Sequence, residues 1–370
     1  MLYITLFLFS GCFIYLSSKF DFVNDRIWKY TFAFLAIFIL SFAAGIRDYS
    51  IGTDTVIYKS FFDYVPSAKN IIEYCLTLHR QDELEYGFSI FNYLIGITGV
   101  SAHIFNFCSQ FLIASNIYVA LAMMKKHINI TLGWLTYCFM FFPITLNINR
   151  QCIALSFVLV SVALIYNSHY LASIIVIGIA FCFHVSSIFA CIIYLAGLLI
   201  KKAKSSIQLI YVILFLTVIV LMLPQIVNIM NSLGLIGSKF SQYLGKTTYT
   251  SLLSTMGIRI PMLLAMFYSF WGENILKKRN LLFIDLIIIF EFIILPFQNI
   301  SPTVGRLLLY FGIVKVIGYP LIIKQLKNKN PYFGWLFNCL FIIFLIGIFY
   351  TQIIVNNNNQ IYPFIIASDI

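Results

Sequence analysis

Carboxylates are scarce in this chain, thirteen against twenty-four lysines and arginines in 370 residues, so that only 10% of positions are charged. A soluble domain needs about a quarter of its residues charged, and so small a share excludes one. No two of the eight cysteines form a C-x-x-C motif, and all but Cys75 lie inside or beside apolar runs, which argues against a disulfide framework or a zinc site. An Asp-x-Asp pair is also missing, so a metal-bound nucleotide-sugar donor would lack ligands, and neither metal nor cofactor is expected. Gly245-Lys246-Thr247 imitates the end of a phosphate-binding loop, but Phe240 stands where its first glycine belongs. The first apolar run begins at Leu2 with no basic residue ahead of it, unlike a cleavable leader, and is expected to stay in the membrane.

Hydrocarbon fills the rest: 61% of residues are hydrophobic and 18% aromatic. Apolar runs long enough to cross a bilayer recur from end to end, which predicts one integral membrane domain over 1–370, an all-α polytopic bundle. The net charge of +11 is not one patch for nucleic acid. Its cations stand in short clusters between apolar runs, at Lys19, Arg26 and Lys29, at 125–126, 201–204, 277–279 and 324–329, the pattern of cytoplasmic loops.

Fixing those clusters inside gives a path of about twelve crossings. The expected spans are near 2–18, 30–46, 104–124, 130–142, 144–166, 207–229, 257–276, 281–297, 306–323 and 332–355. Residues 170–200 are expected to form a hairpin of two short helices meeting near His184, and 86–100 a helix that only half crosses. Outside then lie 47–85, a second loop at 231–256, 298–305 and the tail from Asn356. The first of these concentrates chemistry: its 39 residues hold seven of the thirteen carboxylates.

Polar residues inside the apolar runs gather toward that outer side: Asn147, Arg150, Gln151, His184, Arg259 and Arg306. Ionisable groups at membrane depth usually face a cavity, so these residues and the acidic loop are expected to share one outward-facing site. Continuous helix from Pro143 would set Arg150 about 10 Å deep, beyond easy snorkelling. Arg47 and Arg306 suit either interface anchoring or ligand binding. Asp54 suits either a helix cap or a substrate ligand, and His184 either a satisfied structural imidazole or a proton acceptor. Glu83 and Glu85 look like a solvated edge, and Glu291 with Lys315 like a buried ion pair.

Several of these residues fall into a pattern. Gly45-Ile-Arg47-Asp48, Gly52-Thr-Asp54-Thr with Tyr58, Glu85-Tyr-Gly87-Phe88, Asn149-Arg150-Gln151 with Ala154, His184-Val-Ser186-Ser187, and Arg306 with Tyr310 together resemble the EpsG-like branch of Wzy-type O-antigen polymerases. The Arg-Asp/Gly-Thr-Asp-Thr loop and the Asn-Arg-Gln helix are its most specific parts. The resemblance implies a bacterial inner-membrane enzyme acting on the periplasmic side, similar in logic to membrane-embedded glycosyltransferases that use lipid-phosphate donors without metal. It would move a growing glycan from undecaprenyl diphosphate to the non-reducing end of the next lipid-linked repeat unit, with inversion. A chain-length regulator is a conceivable partner. Under that reading Arg47, Asn147, Arg150, Gln151, Arg259, Arg306 and Tyr310 would bind substrate and its diphosphate, while His184, or else Asp54, would accept the acceptor's proton. A lipid-linked oligosaccharide flippase and an O-antigen ligase remain the alternatives.

Overall fold

A computed structural model describes residues 2–20, 25–82, 84–232, 256–299 and 302–368; the expected loop at 231–256 lies almost wholly outside them, as does Glu83. All regular elements among the described residues are helical. The chain runs through α1 (Leu2–Lys19), α2 (Arg26–Ile46), three short helices α3 (Thr55–Asp63), α4 (Ile71–Asp82) and α5 (Tyr86–Gly96), then α6 (Ala102–Met123), α7 (Ile130–Met140) and α8 (Phe142–Thr145). It continues through α9 (Asn149–Tyr166), α10 (Tyr170–Phe183), α11 (Ala190–Lys202), α12 (Ser206–Ser232), α13 (Ile260–Phe270), α14 (Arg279–Ile294), α15 (Pro302–Gly312), α16 (Lys315–Lys329) and α17 (Pro331–Phe349). Local chemistry sets several starts. Asn129 accepts a hydrogen bond from the Leu132 amide to open α7, and Asn330 accepts one from Phe333 with Pro331 in the first turn of α17.

Among the described residues, eight helices are long and apolar enough to cross a membrane, or nine if α15 and α16, bent by 44° at their junction, count as one span. The expected count of about twelve is not confirmed among the described residues. Three of the expected crossings, α7, α10 and α13, are only 11, 14 and 11 residues long. At ~1.5 Å per residue they fall well short of the ~30 Å hydrocarbon core.

The bundle is stitched by buried side chains as well as by apolar packing. The Trp134 indole donates to Ser10 Oγ at 2.8 Å, and Ser10 donates onward to the Ala36 carbonyl at 2.8 Å, tying α7 to α1 and α2. Gln110 on α6 bridges the hydroxyls of Tyr137 and Thr145 at 2.6 and 2.7 Å. Such bonds replace solvation that an apolar surrounding cannot supply.

The molecule has two chemically distinct poles. At one, the basic clusters interlock: Lys324 Nζ donates to the Lys126 carbonyl at 2.7 Å, Lys201 to the carbonyls of Ile165 and Tyr166, and Arg279 to that of Lys201. The hold of Lys201 on the turn before α10 shows that α10 and α11 double back on each other, with the reversal at His184 as expected. At the other pole stand the 47–82 segment, the α8–α9 junction, the His184 turn and the chain end. The backbone of Arg47 pairs with that of Ile366, the Asp48 amide donates to the Ile365 carbonyl at 2.9 Å, and the Gly52 amide donates to that of Gln360 at 3.1 Å.

Candidate active site at the acidic pole

Two glycines let the acidic pole assemble. Gly52 has φ of +90°, and a Cβ there would meet the Leu146 carbonyl oxygen at 2.6 Å, so the Gly-Thr-Asp-Thr loop lies directly on the α8–α9 junction. Asn147 fixes the contact: its Oδ1 accepts from Thr53 Oγ1 and the Asp54 amide, both at 2.9 Å, and its Nδ2 donates to Asn359 Oδ1 at 3.1 Å. Gly87 does the same for α5, since a Cβ would stand 2.6 Å from the Cys182 carbonyl oxygen at the end of α10. That approach carries Glu85, the residue before α5, to the His184 turn.

Glu85 is the hub of what results, which corrects the expectation of a solvated edge. Its Oε1 lies 2.8 Å from His184 Nδ1 and accepts from the Val185 amide at 3.1 Å, while Oε2 accepts from Arg150 Nη1 at 2.7 Å. Burial works against the carboxylate, but the hydrogen bond with His184, the charge of Arg150 and the Val185 amide outweigh it and hold its pKa at about 2. Its neighbours Leu84 and Phe88 are fully buried, and Phe88 turns its ring toward the Arg150 guanidinium at 6.0 Å. The missed signal was this flanking pattern, an acid between apolar residues and two positions before a closely packed glycine.

His184 is almost fully buried, and burial lowers its pKa below the ordinary value, favouring neutral imidazole. With Nδ1–H donated to Glu85, the neutral tautomer leaves Nε2 as an acceptor, and this atom is buried without a protein partner. Arg150 stands in the first turn of α9, not two turns down a continuous helix: the chain breaks at 146–148, and the side chain keeps 24% exposure. One edge of its guanidinium is held by Glu85; its Nε is buried and unpartnered. Tyr58, beside the same guanidinium, has its hydroxyl pushed up to about 12 by burial.

The remaining expected residues divide. Gln151 donates to the Arg306 carbonyl at 2.8 Å, joining α9 to α15, and α15 packs on the turn that carries Ser186 and Ser187. Arg306 lies near enough to His184 and Tyr310 for its charge to act on both. The Tyr310 hydroxyl, one turn along α15, is buried and unpartnered, as are Asn149 Oδ1 and Ser187 Oγ. Five such atoms lie on three adjoining elements and make this pole the candidate site for a polar ligand. Asp54 occupies the position before α3 without capping it through its side chain and is half-buried. Arg47, 2% exposed, sits apart under the chain end, where its Nη2 reaches Thr55 Oγ1 at 3.5 Å. Arg259 joins a second cluster: it grips Glu291 Oε1 through Nε and Nη2 at 3.1 and 2.7 Å, while Lys315 Nζ meets Oε2 at 2.5 Å, the ion pair expected from the sequence. No group of three or more His, Cys, Asp or Glu suited to a metal occurs among the described residues.

Among the described residues the chain is an all-helical membrane bundle in which Glu85, His184 and Arg150 converge at one pole. The model of the EpsG family matches residues 30–366, and this chain belongs to that family. Membership supports a polymerase-like membrane protein of polysaccharide biosynthesis. No curated protein and no solved structure matches the chain.

Proposed function

We propose that this protein is a polysaccharide polymerase that transfers a growing glycan from a lipid diphosphate, of the undecaprenyl type, to the non-reducing end of a lipid-linked repeat unit. The observation that carries this reading is the Glu85–His184–Arg150 constellation with an unpartnered Nε2. A hydroxyl of the acceptor sugar attacks the anomeric carbon, and the bond from that carbon to the diphosphate oxygen breaks, its electron pair leaving with the diphosphate. The hydroxyl proton passes to Nε2 of His184. Glu85 holds the imidazole through Nδ1 and stabilises the imidazolium that forms, as the carboxylate of a catalytic triad does. One displacement inverts the anomeric centre.

Charge on the departing diphosphate falls to guanidinium groups. Arg150 is positioned by Glu85, with Nε still to bond, and Arg306 lies across the same turn. The first turn of α9 adds its backbone amides and the positive end of its dipole. Asn147 and Gln151, whose amides hold the loop and α15, act as positioning residues. Asp54 remains the second candidate for the base. The lysine-bearing pole takes the cytoplasmic side by the positive-inside rule, which turns this site to the periplasm of a bacterial inner membrane.

Genetic complementation tests the reading. A strain lacking its polymerase and given this chain should regain a ladder of glycan lengths; the Arg150→Ala chain should leave a single repeat unit. Normal ladders from both Arg150→Ala and Arg306→Ala would overturn the assignment of diphosphate binding.

A further inference from the structure

One exposed face of α10 runs up to the Glu85–His184 pair. Leu171, Ile175, Gly178 and Cys182 follow one another along that face, one turn apart, and all four are exposed. The turn above carries Val185, whose side chain is 44% exposed while its amide donates to Glu85 Oε1 at 3.1 Å. Tyr86, the residue after Glu85, is exposed as well, and its ring stacks on His79 at 4.7 Å. Apolar surface therefore meets the buried carboxylate within one residue on two separate elements. The face is hollow at its middle: a Cβ on Gly178 would meet no atom within 4 Å. Small residues in membrane helices normally admit a close neighbour, and among the described residues none fills this place. α10 starts at the turn held by Lys201, and its fourteen residues rise about 21 Å against a hydrocarbon core of ~30 Å. The face thus ends beside the site at membrane depth, not above the bilayer.

We propose that this face of α10 is the track for the isoprenoid chain of the lipid diphosphate, which lies in the Gly178 hollow while the diphosphate rests at Arg150. An amphiphile whose head is held by a guanidinium and whose tail must leave through hydrocarbon needs a polar site and an apolar face in one line, and the α10 face joins the two. The inference rests on the glycan-transfer reading and adds the side from which its lipid substrate enters.

Native mass spectrometry of the full-length protein in detergent, titrated with undecaprenyl diphosphate or with dimethylallyl diphosphate, tests it. The single isoprene unit of the second ligand is too short to reach Gly178, six residues or about 9 Å down the helix from His184. Gly178→Phe fills open space, so it should elute as the wild type does and bind dimethylallyl diphosphate equally well, yet retain undecaprenyl diphosphate at least tenfold more weakly. Gly178→Ala should fall between the two. Gly347→Phe, at another open glycine on α17, should bind both ligands as the wild type does. Undiminished retention of undecaprenyl diphosphate by Gly178→Phe, loss of both ligands alike, or an equal loss in Gly347→Phe would each overturn the track and leave the glycan-transfer reading standing. Ready disulfide cross-linking of two copies through the exposed Cys182 would do the same, by assigning the face to a second copy. A wild type that retains neither diphosphate would refute the glycan-transfer reading and the track with it.

Discussion

Replacing Glu85 with glutamine keeps the shape of the side chain, removes its charge and turns one of its two accepting oxygens into a donor, so the part of its effect that depends on pH reports the electrostatic role of the hub. A fall in pKa from 4.5 to about 2 corresponds to roughly 3 kcal/mol of preference for the ionised form in the folded protein. A second route gives a similar figure: withdrawing one partner of a buried ion pair costs ~3–5 kcal/mol, and the 24% exposure of the Arg150 side chain argues for the lower end. Because the folded pKa is depressed, this stabilisation is complete above the unfolded value near 4.5 and is lost as pH falls toward about 2. Thermal unfolding of the purified protein in detergent, followed between pH 7 and pH 3, should therefore show Glu85→Gln melting several degrees below wild type at pH 7. The two curves should draw together as the pH is lowered. A variant as stable as wild type at pH 7, or a constant gap at every pH, would refute an ionised Glu85 held by Arg150 and His184.

His184→Ala should lower polymerisation by roughly 10²–10⁴-fold while leaving binding of the lipid-linked substrate in place, as measured with purified protein and defined repeat units; full activity would move the base to Asp54. Arg150→Lys should behave nearly as badly as Arg150→Ala in the same assay, since an ammonium cannot hold Glu85 and still present a planar edge to a diphosphate. Gly87→Ala drives a methyl to within 2.6 Å of the Cys182 carbonyl, and should cost ~1–3 kcal/mol of stability with loss of activity, read by melting temperature and glycan ladder together. Gly52→Ala should be at least as damaging, because its φ of +90° adds backbone strain to a 2.6 Å approach.

Helix positions were readable because hydropathy and charge clusters are local signals. The reversal at His184 followed from an apolar run too long for one crossing and too short for two full ones. The count of about twelve crossings is not confirmed for the same reason: composition marks Ile130–Met140 and Ile260–Phe270 as apolar, but their ends depend on packing and turns that hydropathy does not register. At the acidic pole, the sequence placed Arg150, Gln151, His184 and Arg306 in one region, and the structure brings them together across α9, the His184 turn and α15. Glu85 was legible only as one more acid in an acidic loop, because its partners are 65 and 99 residues away. Asn147 illustrates the converse: an amide in an apolar run suggests a cavity wall, but its bonds to Thr53, Asp54 and Asn359 spend it on holding the chain.

In vitro polymerisation speaks most directly to the site. Purified protein in lipid vesicles, supplied with undecaprenyl-diphosphate-linked repeat units and no added metal, should yield a ladder of products, and Arg150→Ala or His184→Ala should leave the single unit. Ladders of wild-type length from both variants would contradict a transferase centred on Glu85, Arg150 and His184.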